Sequence, residues 1–276
     1  MSATQDYHVR INKISIDPDR FARQHPVVWF DTIIHRNMMF DCVHLKDIQT
    51  LYDRGYAVGD LVRLRMAGSF PILGPIIAKS TENDRRSMFE IVSYCYSCQK
   101  PLIERNGQWY CNGVNCSRTL LARLLYSTHV LNLGYSRDDL NYLIYYQELV
   151  QNLPSLLFLS EDDLIGPYYE RDEAVSLIEW SQARISDMLN PYDSETRLLT
   201  QSQIMDALSI VGLFKSDQKK LIEPLSRGFW TWNNLPDILT SANDLYRFGI
   251  ERSDAFTIAH QAVDRVEELD SLAREF

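Results

Sequence analysis

Cys95 and Cys98 are separated by two residues, Cys111 and Cys116 by four, and twelve residues lie between the two pairs. Four thiolates at such spacing can close a tetrahedral shell around zinc, with each sulfur about 2.3 Å from the metal. Four cysteine ligands leave no open position for water, so Cys95, Cys98, Cys111 and Cys116 point to a structural zinc rather than a catalytic one. Such a site contributes on the order of 10–16 kcal/mol of apparent folding free energy. The same residues could instead form two disulfides. The polar start MSATQDYHVRINK, with no secretory signal, and the low cysteine content argue against that alternative. The remaining cysteine, Cys42, has no nearby partner and reads as a core or free thiol.

Something must bring the two cysteine pairs together. Asn106-Gly107 is a hairpin turn signal, flanked by Leu102, Ile103, Trp109 and Tyr110. It predicts a two-stranded ribbon over the finger.

Upstream, VRINKISI, PVVWFDTIIH, DLVRLRM and FPILGPIIA are strand-like runs rich in Val, Ile and aromatic residues. Between them, HLKDIQTLYDRGY places Leu45, Ile48 and Leu51 at helical spacing, with Gly55 as the C-cap. Several strands and one short helix fit a small barrel such as the OB-fold. Arg63 and Arg65 alternate with Val62, Leu64 and Met66, so both arginines share one strand face. That face is either simply solvated or contacts phosphate, for which arginine forks are suited.

Downstream the pattern turns helical. SRTLLARLLYSTHV follows the last cysteine directly. DLNYLIYYQELVQNL, DEAVSLIEWSQARISDML, QSQIMDALSIVGL, KKLIEPLSRGF and SDAFTIAHQAVDRVEEL all carry apolar residues at i, i+3, i+4 spacing. Four breaks centre on Gly134, Gly166, Gly212 and Gly249, at intervals of 32, 46 and 37 residues. This loose repeat predicts stacked helix-hairpin-helix units. Backbone amides at the start of each second helix can hold a phosphate without side-chain charge. A helical bundle whose glycines are ordinary C-caps is the plainer alternative.

Charge divides the chain. Residues 1–125 carry 16 Lys+Arg and 12 Asp+Glu, whereas residues 126–276 carry 12 and 25, so +4 and −13 sum to the net −9. An acidic total does not favour a nucleic-acid reading. No apolar run approaches the ~20 residues needed to span a bilayer, which predicts no membrane partner and a soluble, cytoplasmic protein. There is no GxxxxGK[ST] loop and no GxGxxG fingerprint. None of the seven lysines is followed by x-D-G, and no Ser/His/Asp set or carboxylate pair stands out, so no catalytic residue is assigned.

The order of barrel, four-cysteine finger and helical array resembles the C-terminal portion of bacterial NAD-dependent DNA ligases. Two matches carry the resemblance. Gly59-Asp60, Arg63, Arg65, Ala67-Gly68 and Phe70-Pro71 fill the places of the family's barrel segment, and the cysteine spacing falls within the family's finger pattern. There are departures. The family's nucleotidyltransferase and BRCT domains have no counterpart here, nor does the Arg-Thr-Gly near the start of its barrel. Met66 stands where the family has a basic residue. Ser136 and Glu251 replace the second glycine of two hairpins, and PYYERDEA has lost the glycine pair.

The resemblance implies a multidomain, β-then-α chain: an OB-fold barrel over 1–90, a four-cysteine zinc ribbon over 91–118 and an all-α helix-hairpin-helix domain over 119–276. It implies the second subunit of a two-chain, phage-type ligase, inactive alone, that binds nicked double-stranded DNA. NAD would be bound by the partner, a separate adenylation-domain subunit. Expected DNA contacts are Arg63, Arg65, Ser69 and Phe70 of the barrel, and Gly134, Ser136, Gly212 and Gly249 of the hairpins. The alternative is a non-enzymatic, zinc-containing DNA-binding or adaptor protein of replication or repair.

Overall fold

The computed structural model describes residues 6–68, 70–80, 94–105, 107–113, 116–166, 168–189, 194–210, 212–229 and 231–275. It separates into two compact units, Met1–Arg118 and Thr119–Phe276.

The first unit is built on a five-stranded antiparallel sheet in the order β3-β2-β1-β4-β5. The strands are β1 (Asp6–Pro18), β2 (Gln24–His35), β3 (Met38–His44), β4 (Leu61–Ala67) and β5 (Phe70–Ala78). Helix α1 (Ile48–Arg54) connects β3 to β4. Asp47 caps it by accepting the Thr50 amide at 2.7 Å, and Gly55 closes it with φ 64°. The edge strands β3 and β5 pack against each other. Alternation along β1 and β4 sends Val9, Ile11, Val62 and Leu64 into one core with Val28, Phe30, Ile48 and Tyr56.

Gly59-Asp60 forms a latch. The Gly59 amide donates to the Ile11 carbonyl at 2.7 Å. The buried Asp60 carboxylate accepts from Ala57 N at 2.9 Å and Ser80 N at 2.7 Å. The Gly-Asp pair therefore holds the entry to β4 in shape rather than facing a ligand.

β6 (Leu102–Arg105) and β7 (Gln108–Cys111) form a separate antiparallel ribbon, where the hairpin signal predicts one; Asn106 lies outside the described residues. Trp109 packs on the sheet core, and the Cys111 amide donates to the Ala22 carbonyl at 2.9 Å.

From residue 117 onward the regular elements among the described residues are helices, apart from the isolated bridge Ile165–Tyr169. α2 (Ser117–Leu131), α3 (Arg137–Asn141), a π-helix (Tyr142–Tyr146), α4 (Leu153–Leu157), α5 (Glu161–Leu164) and α6 (Arg171–Leu189) come first. α7 (Ser194–Ala207), α8 (Lys215–Ser226), α9 (Leu235–Thr240), α10 (Ala242–Arg247), α11 (Arg252–Val263) and α12 (Val266–Glu275) follow. The second unit has its own leucine-rich core, which includes Leu133, Leu140, Leu213, Ile250 and Leu269.

The helix expected over 139–153 is instead α3, the π-helix, a non-helical stretch and α4. Glu148 takes φ 53°, which stops the coil, while Leu143, Ile144 and Val150 still reach the core. The run 253–269 is split at Asp264-Arg265 into α11 and α12. Among the described residues, no helix is long and apolar enough to cross a membrane.

Candidate metal centre and nucleic-acid interface

The four cysteines converge. One sulfur from each of Cys95, Cys98, Cys111 and Cys116 lies within 4.8 Å of all the others. Cys95 Sγ is 3.7 Å from Cys116 Sγ, and Cys98 Sγ is 3.4 Å from Cys111 Sγ. A tetrahedral zinc site with 2.3 Å bonds has sulfur–sulfur edges of about 3.8 Å, whereas a disulfide needs about 2.05 Å. All four are free thiols with the spacing of a ligand shell. The cluster can hold a metal ion and is compatible with structural zinc.

The local backbone explains the convergence. Cys95 N donates to Lys100 O and Gln99 N donates to Cys95 O, both at 2.9 Å, while Gln99 sits at φ 56°. This tight knuckle turns Cys98 back toward Cys95. On the other side, the Gly113 amide points at the Cys111 sulfur at 3.4 Å, and Cys116 N donates to Gly113 O at 3.2 Å.

The electrostatics suit a cation. The Cys116 thiol, and then burial, push the Cys111 thiol far above its ordinary value. Burial raises Cys95 as well. Packed thiols cannot all ionise alone, and a divalent ion reverses that balance. Cys42 lies elsewhere, half-buried, with its thiol pushed up to about 11 by burial and the Asp41 charge. Spacing arguments miss Gly113, because its role is a close approach that only the folded finger creates.

Arg63 and Arg65 both point outward from β4, with side chains 45% and 58% exposed. Each guanidinium is 3.9 Å from a carboxylate oxygen of Asp6, close enough to orient both forks loosely. Phe70, paired with Ala67 across the Gly68 turn, is 75% exposed, and Ile72 beside Arg65 is exposed too. Exposed Ile34 and Met39 belong to the β2–β3 tip, which the Tyr7 hydroxyl joins by hydrogen bonding to His35 Nδ1 at 3.1 Å. Cations and apolar side chains thus share one end of the sheet. Ser69 lies outside the described residues.

Three of the four glycine breaks share one geometry. Gly134 and Gly212 have φ 86° and Gly249 has φ 80°. Each is followed by a buried residue (Tyr135, Leu213, Ile250), then an N-cap (Ser136, Phe214, Glu251), then a helix that opens on a base (Arg137, Lys215, Arg252). Gly166 is not in the left-handed region, so the second break is not of this kind. The shared base three residues after glycine escapes the sequence reading, although GYSR, GLFK and GIER align by eye.

The last two turns are tied together. Lys220 donates to Asp217 at 2.7 Å and to the Gly249 carbonyl at 2.9 Å, and Gly212 packs against Thr257 and Ile258 of α11. The first turn stands against Leu177 and Trp180 instead. There the capping box occupies the polar groups: Ser136 N donates to Asp139 at 2.6 Å, and Asp139 N donates to Ser136 Oγ at 3.2 Å.

No family model matches the chain. A protein named DNA ligase from Phytoplasma mali (strain AT) is 24% identical to it over 125 residues, covering 44% of this chain. The chain spans 18% of that relative's length.

Proposed function

We propose that this chain is the non-adenylating subunit of a two-chain NAD-dependent DNA ligase, which grips nicked duplex DNA and presents the break to a separate adenylating chain. The observation that carries this reading is the likeness to a DNA ligase in a chain that also assembles a four-cysteine cluster. A strand order of β3-β2-β1-β4-β5, with α1 between β3 and β4 and β3 packed against β5, supports an OB-fold for the described part of residues 1–90. The ribbon β6–β7 carrying the cysteines supports a zinc ribbon over 91–118, and the left-handed glycine turns support helix-hairpin-helix units within 119–276.

Each module then has a physical task. Arg63 and Arg65 contact backbone phosphates near the nick. Phe70 lies against the base step as an apolar wedge. Ser69 sits between them in the chain and is assigned to the same contact. The paired turns at Gly212 and Gly249 contact phosphate through helix-start amides, with Lys215 and Arg252 alongside. Zinc, bound by the four cysteines, supplies rigidity and no chemistry. In this proposal NAD and the nucleotidyl-transferring lysine belong to the partner; none of the seven lysines of residues 1–276 stands in a K-x-D-G context. The contribution of this chain is positioning, which supplies several kcal/mol of a barrier without a covalent role.

Nick sealing with NAD tests the reading, using this chain alone, a partner bearing K-x-D-G alone, and both together. Sealing by the mixture only supports it. A partner that seals equally fast alone refutes it, and leaves the second reading, a zinc-containing DNA-binding adaptor.

A further inference from the structure

Two neighbouring cavities in the helical unit share a wall, and both combine aromatic rings with carboxylates. The first, about 800 Å³, is lined by Tyr142, Tyr145, Tyr146 and Tyr168, with Asp138 beside them. The second, about 630 Å³, is lined by Tyr168, Trp180, Asp139 and Glu173. Tyr168 belongs to both.

The rings are arranged rather than scattered. Tyr142 and Tyr168 stack with centroids 4.6 Å apart and planes 16° apart. Tyr146 lies nearly parallel to Tyr142, at 6.2 Å and 25°. Tyr146 is 80% exposed, and Tyr145, Tyr168 and Trp180 are exposed as well. The π-helix Tyr142–Tyr146 widens the coil at this point, a deviation that recurs at functional sites. Nothing in the core requires these faces to meet water, and a contiguous aromatic surface is a recognition surface.

Charge decides what is recognised. Residues 138–173 contain nine Asp and Glu, one Arg and no Lys. Asp139 is fixed at the centre: it accepts the Ser136 amide and the Tyr169 hydroxyl. Burial and that bond hold the Tyr169 phenol protonated, far above its ordinary range. The field over both cavities is negative, so phosphate is repelled, and the Ser136 and Asp139 amides at the turn are already bonded within the capping box. A cation against an aromatic face with carboxylates at the edge is favoured twice over. The planar guanidinium fits stacked rings better than a compact ammonium does.

We infer that these paired cavities bind an arginine-bearing segment of a protein partner, with one guanidinium against each aromatic wall. The inference does not rest on the ligase reading, because it concerns the full chain by itself.

Fluorescence anisotropy of the full chain, titrated into a labelled Gly-Arg-Gly-Arg-Gly-Arg peptide, tests it. Tyr146→Ala and Asp138→Asn each weaken binding about fivefold, the scale of one partly exposed cation–π contact. Tyr146→Phe retains affinity, and the charge-matched Glu223→Gln on α8 leaves it unchanged. The exposure of Tyr146 leaves the fold intact in these variants, which circular dichroism verifies. Three results overturn the inference. The peptide fails to bind; Glu223→Gln weakens it as much as Asp138→Asn, which means bulk charge alone; or labelled oligothymidylate binds tighter than the peptide and loses affinity in Tyr146→Ala, which means that bases fill the cavities.

Discussion

Gly113 sits against Cys98 so closely that a Cβ added to it would lie 2.7 Å from the Cys98 sulfur. The same atom would lie 3.3 Å from Cys116 Cβ, so the intrusion has no free direction in which to relax. Gly113→Ala is therefore expected to displace a ligand and lower zinc affinity by about 10–100-fold, the range found when groups supporting a metal shell are disturbed. Competition with a chromophoric chelator measures this. Cys111→Ser is the stronger perturbation and is expected to release the metal; one zinc per chain retained in that variant, by native mass spectrometry, would refute the site.

Arg65 is the more exposed of the two β4 arginines. If it contacts phosphate, Arg65→Ala lowers the slope of log affinity for nicked DNA against log salt by about 1, because one fewer counterion is released. Filter binding across a salt series measures that slope. An unchanged slope would make Arg65 an ordinary solvated side chain.

Glu268 is buried in the helical unit. Burial alone would raise its carboxyl, but Arg265, the Arg123 charge and the Leu153 amide outweigh it and hold the carboxyl below its ordinary value. Arg265 Nε donates to it at 2.7 Å and Leu153 N at 3.3 Å. With the folded value depressed, the stabilisation is fully present above the ordinary glutamate value of about 4.3 and is lost as pH falls below it through the folded value. Glu268→Gln should cost about 3–5 kcal/mol near neutrality, since Arg265 is left largely buried without its counter-charge. It should also remove that acid-dependent component. Urea unfolding at neutral and acidic pH tests both; a variant as stable as the parent would mean the pair is energetically silent.

Gly212 and Gly249 share a left-handed backbone but differ in their surroundings. A Cβ at 212 would meet Thr257 Cγ2 at 3.3 Å, whereas one at 249 would meet nothing within 4 Å. Gly249→Ala should cost only the conformational penalty of about 1–2 kcal/mol. Gly212→Ala should cost more, because Thr257 must also shift. Thermal unfolding of the two variants orders them, and equal losses would mean that α11 yields freely.

The elements legible in the sequence are those with a local cause. The cysteine spacing, the Gly107 turn, the Gly55 cap and the alternation along β4 each act over a few residues. β3 escapes such a reading because MMFDCVH is an edge strand that buries only Val43, so no alternation marks it. The helices α9 and α10 are too short for a repeating apolar face. The stretch 139–153 keeps helical spacing of its apolar residues while its backbone widens and then breaks, since tertiary burial of Leu143 and Val150 overrides the simple period. The base three residues after Gly134, Gly212 and Gly249 is in plain view in the sequence. It acquires meaning only because three turns share the same backbone.

Cys111 serves two masters: its sulfur belongs to the ligand cluster while its amide is hydrogen-bonded to Ala22, just ahead of β2. Whatever strips the finger of its ion also slackens the seam between ribbon and sheet. Deuterium uptake should therefore quicken at the Cys111 amide first, and a disturbance born at the sulfurs would pass through β2 and β1 toward β4, which carries Arg63 and Arg65.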